Sequence, residues 1–161
     1  MSLFYKLRKL HLLHPLLHSF GKRQIQTLSW KVGDTATVTK KVTFEEVQRF
    51  AELSGDRNPV HVDKEFITRD SKFENCIVHG AYLNSLVSAV IGTQLPGPGT
   101  LVVKQELNFP SPCYIDEEVN ITVKLAAVRK ILTVDFTCVT SSGKVVLWGN
   151  CRLARHSSKK V

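Results

Sequence analysis

Leu53-Ser54-Gly55-Asp56-Arg57-Asn58-Pro59-Val60-His61 is the stretch on which the reading of this chain turns. It closes an apolar helical pattern and places a carboxylate and an imidazole five residues apart. In an uninterrupted helix the two would lie on roughly the same side. Pro59, however, has no N–H and pushes Asn58 toward extended backbone. The spacing predicts irregular backbone over residues 55–61, with Asp56 and His61 presented from a rigid turn. An Asp and a His held close together can grip one water, one taking its proton while the other orients it, which is general acid–base equipment. The same residues admit a plainer reading. An Asp before Arg-Asn-Pro is a common turn former that bonds backbone amides, and a single His more often packs than reacts.

Outward from this turn the pattern is one strand, a helical block and a meander. Residues 34–42 are rich in β-branched side chains and predict a first strand. Thr43-Phe44-Glu45-Glu46 is a capping box opening a helix through Leu53, with Phe44, Val47, Phe50 and Ala51 on its apolar face. Asp63 caps a short helix toward Thr68. From His79 to Gln94 the apolar residues Leu83, Leu86, Val87, Val90 and Ile91 cover more than one face, so this helix is expected to be wrapped by other structure. Leu95-Pro96-Gly97-Pro98-Gly99 ends it. Strands are predicted at 100–109, 117–128, 130–141 and 144–155. Val119, Ile121, Val123 and Leu125 alternate with polar residues, as do Leu132, Val134, Phe136 and Cys138. Arg129-Lys130 and Ser141-Ser142-Gly143-Lys144 read as hairpin turns. The residues alone give an α+β arrangement, a helix packed on a curved antiparallel sheet.

Residues 53–61 resemble the signature of the R-specific enoyl-thioester hydratases, the MaoC-like dehydratase family, roughly Leu-Ser-Gly-Asp-x-Asn-Pro-aliphatic-His-x-Asp. This chain fills that pattern through His61 and Asp63. A second block, Cys76-Ile77-Val78-His79-Gly80-Ala81-Tyr82-Leu83 with Ser85 and Ser88, resembles the family's His-Gly opening of its central helix. Gln94-Leu95-Pro96-Gly97-Pro98-Gly99 and Leu107-Asn108-Phe109-Pro110-Ser111-Pro112 resemble the turn and strand that follow. The resemblance covers about residues 31–154. It implies a single hot-dog domain, with a central helix wrapped by a curved antiparallel sheet, and a homodimer. It also implies an (R)-3-hydroxyacyl-thioester dehydratase working reversibly on acyl chains carried by acyl carrier protein or CoA, without a cofactor or a metal.

The resemblance assigns roles position by position. Asp56 and His61 hold and activate the water. The Gly80 amide, at the positive end of the central helix, receives the thioester oxygen, and Ser88 lies near the catalytic pair. Each has a plainer alternative: a glycine is ordinary at a strand-to-helix junction, and a helical serine can bond the carbonyl four residues back. Asn58 and Pro59 are read as structural support for the turn, and His79 as structure at the opening of the helix. Cys76 and Ala81 depart from the residues common in the family. The smaller Ala81 leaves chain-length preference open.

Charge and cysteines narrow the other classes. The net charge of +8 is concentrated at the ends. Lys6, Arg8, Lys9, Lys22 and Arg23 precede residue 30 with no acid among them, and Arg152, Arg155, Lys159 and Lys160 close the chain. The remaining 13 basic residues face all 14 acids, so the body carries no basic stripe for nucleic acid. Residues 1–29, acid-free and interleaved with leucines, read as a mitochondrial targeting segment leading to the matrix. No apolar run there reaches the roughly 18–20 residues of a membrane span. The expected organisation is therefore 1–29 targeting segment, 30–155 catalytic domain and 156–161 basic tail. Cys76, Cys113, Cys138 and Cys151 form no metal-ligand spacing and are expected as buried free thiols. Two other functions compete: a hot-dog acyl thioesterase, which has no need of the Asp-x-Asn-Pro-x-His turn, and a non-enzymatic acyl-carrier or RNA-associated module using the basic tails.

Overall fold

Five strands form where the sequence predicts them, in a computed structural model that describes residues 30–155. The expected targeting segment at 1–29 and basic tail at 156–161 lie outside the described residues. In chain order the elements are β1 (Thr35–Lys41), α1 (Phe44–Ser54), α2 (Pro59–Val62), α3 (Lys64–Asp70), α4 (Gly80–Thr93), β2 (Thr100–Asn108), β3 (Glu118–Ala127), β4 (Ile131–Thr140) and β5 (Val145–Arg155). The sheet runs β1-β3-β4-β5-β2, with every pairing antiparallel. All three helices before α4 fall between two strands that end up at opposite edges.

The sheet bends around α4. One face of β3, β4 and β5 is apolar, and Ile121, Val123, Leu125, Leu132, Val134, Phe136 and Leu153 are all buried. Register shifts at Val102/Lys104, Leu125/Ala127 and Cys138/Val139 mark bulges, which bend strands and increase their twist. Gly149 permits a close approach within the sheet. A Cβ there would collide with the Glu106 carbonyl oxygen and lie 2.8 Å from the Phe136 ring.

Helix α4 buries Leu83, Val87, Val90 and Ile91 on this curved face. The wrapping is one-sided in the single chain: Ala81, Ser85, Ser88 and Ala89 remain exposed on its other side. The four cysteines are buried free thiols. Cys138 and Cys151 lie on adjacent strands but out of register, since Cys151 pairs with Val134 and Cys138 with Leu147.

The backbone expected to be irregular over 55–61 is corrected at its second half. Pro59–Val62 is a helical turn with Asn58 as its cap. Proline at the first position of a helix loses nothing by lacking an N–H, and its fixed φ favours the turn. Gly55 ends α1, and Pro59, four residues on, starts α2.

Candidate active site

Asp56 reaches the site because α1 stops abruptly. Gly55 adopts the left-handed conformation (φ 81°), and its N–H donates to the Ala51 carbonyl, closing the helix end. The chain then turns through two local bonds. The Asp56 N–H donates to Ser54 Oγ, and the Asn58 N–H donates to the Asp56 carboxylate, each at 3.2 Å. Asn58 Oδ1 accepts from the Val60 N–H and the Asn58 carbonyl from the His61 N–H, which starts α2. Both residues predicted as support therefore make the turn: Asn58 caps it and Pro59 begins it.

His61 is turned inward by α2 and is 9% exposed. Its Nδ1 lies 2.7 Å from the Ile77 carbonyl oxygen. A carbonyl only accepts, so Nδ1 carries a proton; in the neutral ring the lone pair is then on Nε2, the tautomer a general base needs. Ile77 is itself fixed. Its N–H donates to the Val60 carbonyl, and the flanking Val78 and Cys76 bond Cys113 and Ile115 on the approach to β3.

The third group at the site is His79. Its ring stacks on that of His61, with centroids 3.8 Å apart and planes 28° apart, and it meets Phe50 of α1 at 5.0 Å. His79 Nε2–H donates to the Asp56 carbonyl oxygen at 3.0 Å. Burial pushes its pKa below the usual imidazole value. The bond to Asp56 opposes this shift and the neighbouring His61 adds to it. His79 caps α4 without a side-chain cap bond, so the sequence reading of it as structure at the helix opening captures its place and misses its contacts. The signal was available in principle: a histidine directly after Cys76-Ile77-Val78 is a polar ring in an apolar run.

One ring nitrogen or carboxylate oxygen from each of Asp56, His61 and His79 lies within 4.8 Å of the others. A water about 2.8 Å from each of two such atoms fits that spacing.

Gly80 lies beside this cluster at the start of α4. The Leu83 N–H is bonded to the His79 carbonyl, while the amides of residues 80–82 precede the first intrahelical bonds, as at any helix N-terminus. They form a partial positive charge next to His61. The ring of Phe109, just beyond β2, covers Gly80 so closely that a Cβ there would approach it to 2.9 Å. Phe109 was not anticipated from the sequence. It lines a cavity of about 420 Å³ with His61, Gly80, Leu83, Cys113 and Val146, so the imidazole and the helix amide open onto a mainly apolar space. Burial pushes the Cys113 thiol up to about 12, which leaves it protonated and unreactive at neutral pH. Ser88 does not line this cavity. It sits on the exposed side of α4 and, unlike Thr93, makes no bond to the carbonyl four residues back.

Comparison with known proteins yields a consistent set of matches. The family model described as MaoC like domain matches residues 29–145. An (R)-specific enoyl-CoA hydratase of Aeromonas caviae is 38% identical over 124 residues, which cover 75% of this chain and 92% of the relative. A mitochondrial 3-hydroxyacyl-[acyl-carrier-protein] dehydratase of Arabidopsis thaliana is 37% identical, over 71% of this chain and 67% of the relative. A 3-hydroxybutyryl-CoA dehydratase of Methylorubrum extorquens is 43% identical, but the match spans only 60% of that protein's length and 60% of this chain. Among solved structures, the A. caviae (R)-hydratase involved in PHA biosynthesis matches with a TM-score of 0.76 and 36% identity, covering 80% of this chain and 98% of that one.

Proposed function

The chain belongs to the MaoC-like dehydratase family, and from that premise we propose that it reversibly adds water across the double bond of an enoyl thioester. The reverse direction is dehydration of an (R)-3-hydroxyacyl thioester. The observation that carries this reading is the tethered pair: His61, with Nδ1 bound to the Ile77 carbonyl, has a ring nitrogen within 4.8 Å of the Asp56 carboxylate, a spacing that one bridging water spans.

In hydration the bridging water loses a proton to His61 Nε2 while its oxygen bonds to the β-carbon. Asp56 orients the water through its carboxylate. Electron density moves to the thioester oxygen, and an amide at the start of α4, that of Gly80, donates to it. The proton passes from the acid–base pair to the α-carbon on the same face. One water is consumed, and the protein returns to its starting protonation. The apolar cavity next to His61 receives the acyl chain. Ser88, on the outer side of α4, lies outside this cavity, and a substrate role for it requires a second copy to cover that side of the helix.

A homodimer completes the reading. Edge strand β1 exposes Thr35, Thr37, Thr39 and Lys41, residues that blunt an edge. The opposite edge, β2, exposes Leu101, Val102, Val103 and Leu107, with Phe109 beyond it. A long apolar edge of this kind is an incomplete surface, and a second copy covers it. The acid-free segment 1–29 supports import into the mitochondrial matrix. The plant relative, named as a mitochondrial dehydratase of acyl carrier protein substrates, supports a place in mitochondrial fatty-acid synthesis with the same carrier.

The test is the loss of enoyl absorbance when the protein meets crotonyl-CoA, with chiral analysis of the product and a thiol reagent to detect released CoA. The expected result is (R)-3-hydroxybutyryl-CoA without thiol release. Thiol release with an intact double bond would make the protein a thioesterase. A folded protein that leaves both crotonyl-CoA and longer enoyl chains on acyl carrier protein unchanged would sink the enzymatic reading.

A further inference from the structure

Asp56 is exposed, and its bonds to Ser54 and Asn58 are local to the turn. The bond from His79 to its carbonyl is different in kind, since it spans 23 residues and joins the turn to the start of α4. The same His79 ring covers one face of His61. One side chain therefore touches both members of the proposed acid–base pair, and it directly precedes the glycine proposed to receive the thioester oxygen.

The cost of this arrangement is visible. His79 is 1% exposed, and its Nδ1 has no hydrogen-bond partner. A buried polar atom without a partner destabilises a fold. A phenylalanine would pack against Phe50 and His61 with no stranded nitrogen. What the imidazole alone adds is the Nε2–H donor to Asp56. That bond fixes the tautomer: with the proton on Nε2, the lone pair sits on Nδ1, where protonation would place a second cation in the stack without an acceptor. His79 thus remains an uncharged plate. It covers one face of the His61 ring.

We propose that His79 is a positioning residue: stacked on His61 and hydrogen-bonded to the main chain of Asp56, it sets the separation of the two groups that hold the reacting water. The proposal rests on the hydratase reading for its kinetic consequence, whereas the positioning itself is measurable without turnover. A shift of an ångström in such a pair is enough to slow chemistry strongly while leaving binding of the thioester intact.

Two substitutions separate the contacts. His79→Phe keeps a stacked ring and removes the donor, and His79→Gln keeps a donor near the Nε2 position and removes the ring. With crotonyl-CoA, His79→Phe is expected to lower kcat about 10- to 100-fold with KM changed by less than about twofold, and His79→Gln to recover most of the loss. In both proteins, amide exchange at Asn58, whose N–H bonds the Asp56 carboxylate, reports the turn directly, and it should be faster in His79→Phe. Turnover within about twofold of wild type in His79→Phe would overturn the proposal, as would equal losses in the two variants that simply track their melting temperatures. If neither variant folds, nitrogen NMR of wild-type His79 decides: an Nε2–H tautomer bonded to a carbonyl supports the proposal, and an Nδ1–H tautomer overturns it. If wild type itself hydrates nothing, the hydratase reading fails separately, and unchanged Asn58 exchange in His79→Phe would overturn the positioning role as well.

Discussion

The sheet interior and the turn that carries Asp56 are secured by different physics. In β3, β4 and β5 the side chains that matter are apolar, alternate along each strand and are almost wholly excluded from water. Each contributes through burial, and neighbours share the work. In residues 54–62 little is buried except His61. Shape there comes from single directional bonds: a left-handed glycine, a carboxylate accepting from an amide, an asparagine cap, a proline at a helix start and an imidazole on a carbonyl. The difference teaches why a carboxylate and an imidazole can be held close together on a small, exposed segment. The sheet supplies stability in excess of what any one residue gives, and the turn spends its few bonds on direction.

If that division is right, damage to the two regions should be separable. The largest effect is expected for Asp56→Asn, which should lower hydration of crotonyl-CoA by about 10²–10⁴-fold with no change in the thermal transition, because an exposed carboxylate buries no apolar surface. A large stability loss on this change would break the comparison. Phe136→Ala is the converse. It empties the middle of the core and should cost about 3–5 kcal/mol in denaturant unfolding, while the fraction that stays folded keeps its turnover.

Gly149→Ala tests the border between the regions, because β5 holds β2 and β2 leads to Phe109 over Gly80. The new methyl has no room beside the Glu106 carbonyl. The expected cost is about 1–3 kcal/mol, with hydrogen exchange accelerated along Lys104–Asn108 before the rest of the sheet. Uniform acceleration would mean that β2 is no separate unit. The smallest expected effect is linked to pH. His79, buried, has its pKa lowered from 6.5. The unfolded chain therefore binds a proton that the folded one refuses. The associated stability is complete above the ordinary imidazole value and declines as the pH falls below it. Unfolding measured across this range should take up a proton in wild type, and less in His79→Gln. An identical pH slope in the two proteins would show that His79 is not held neutral by the fold.

Legibility in the sequence followed the same division. The strands could be read from their period because burial on one face imposes alternation, and β3 and β4 form where Val119–Leu125 and Leu132–Cys138 alternate. The capping box at Thr43 and Glu46 is present as written, with each side chain bonded to the other's backbone. Pro59 was harder. A proline can break a helix or start one, and here Gly55 has already closed α1, so Pro59, with Asn58 as its cap, only starts α2. Gly80 was read for its amide, yet the neighbour that demands its smallness is Phe109, 29 positions away and invisible to any local pattern. The register offset between Cys138 and Cys151 was equally out of reach, because it depends on where the β4–β5 hairpin closes.

The sequence by itself determined the element order, the apolar face of the sheet, the family and the turn that carries Asp56 and His61, because periodicity and short-range steric rules are properties of neighbours along the chain. Only the tertiary structure decided that the Ile77 carbonyl selects the tautomer of His61, that His79 stacks on that ring while anchoring Asp56, and that β2 is left with an apolar edge. These are contacts between segments brought together by burial of the core. A hydrogen bond fixes a proton only after both of its partners have been placed.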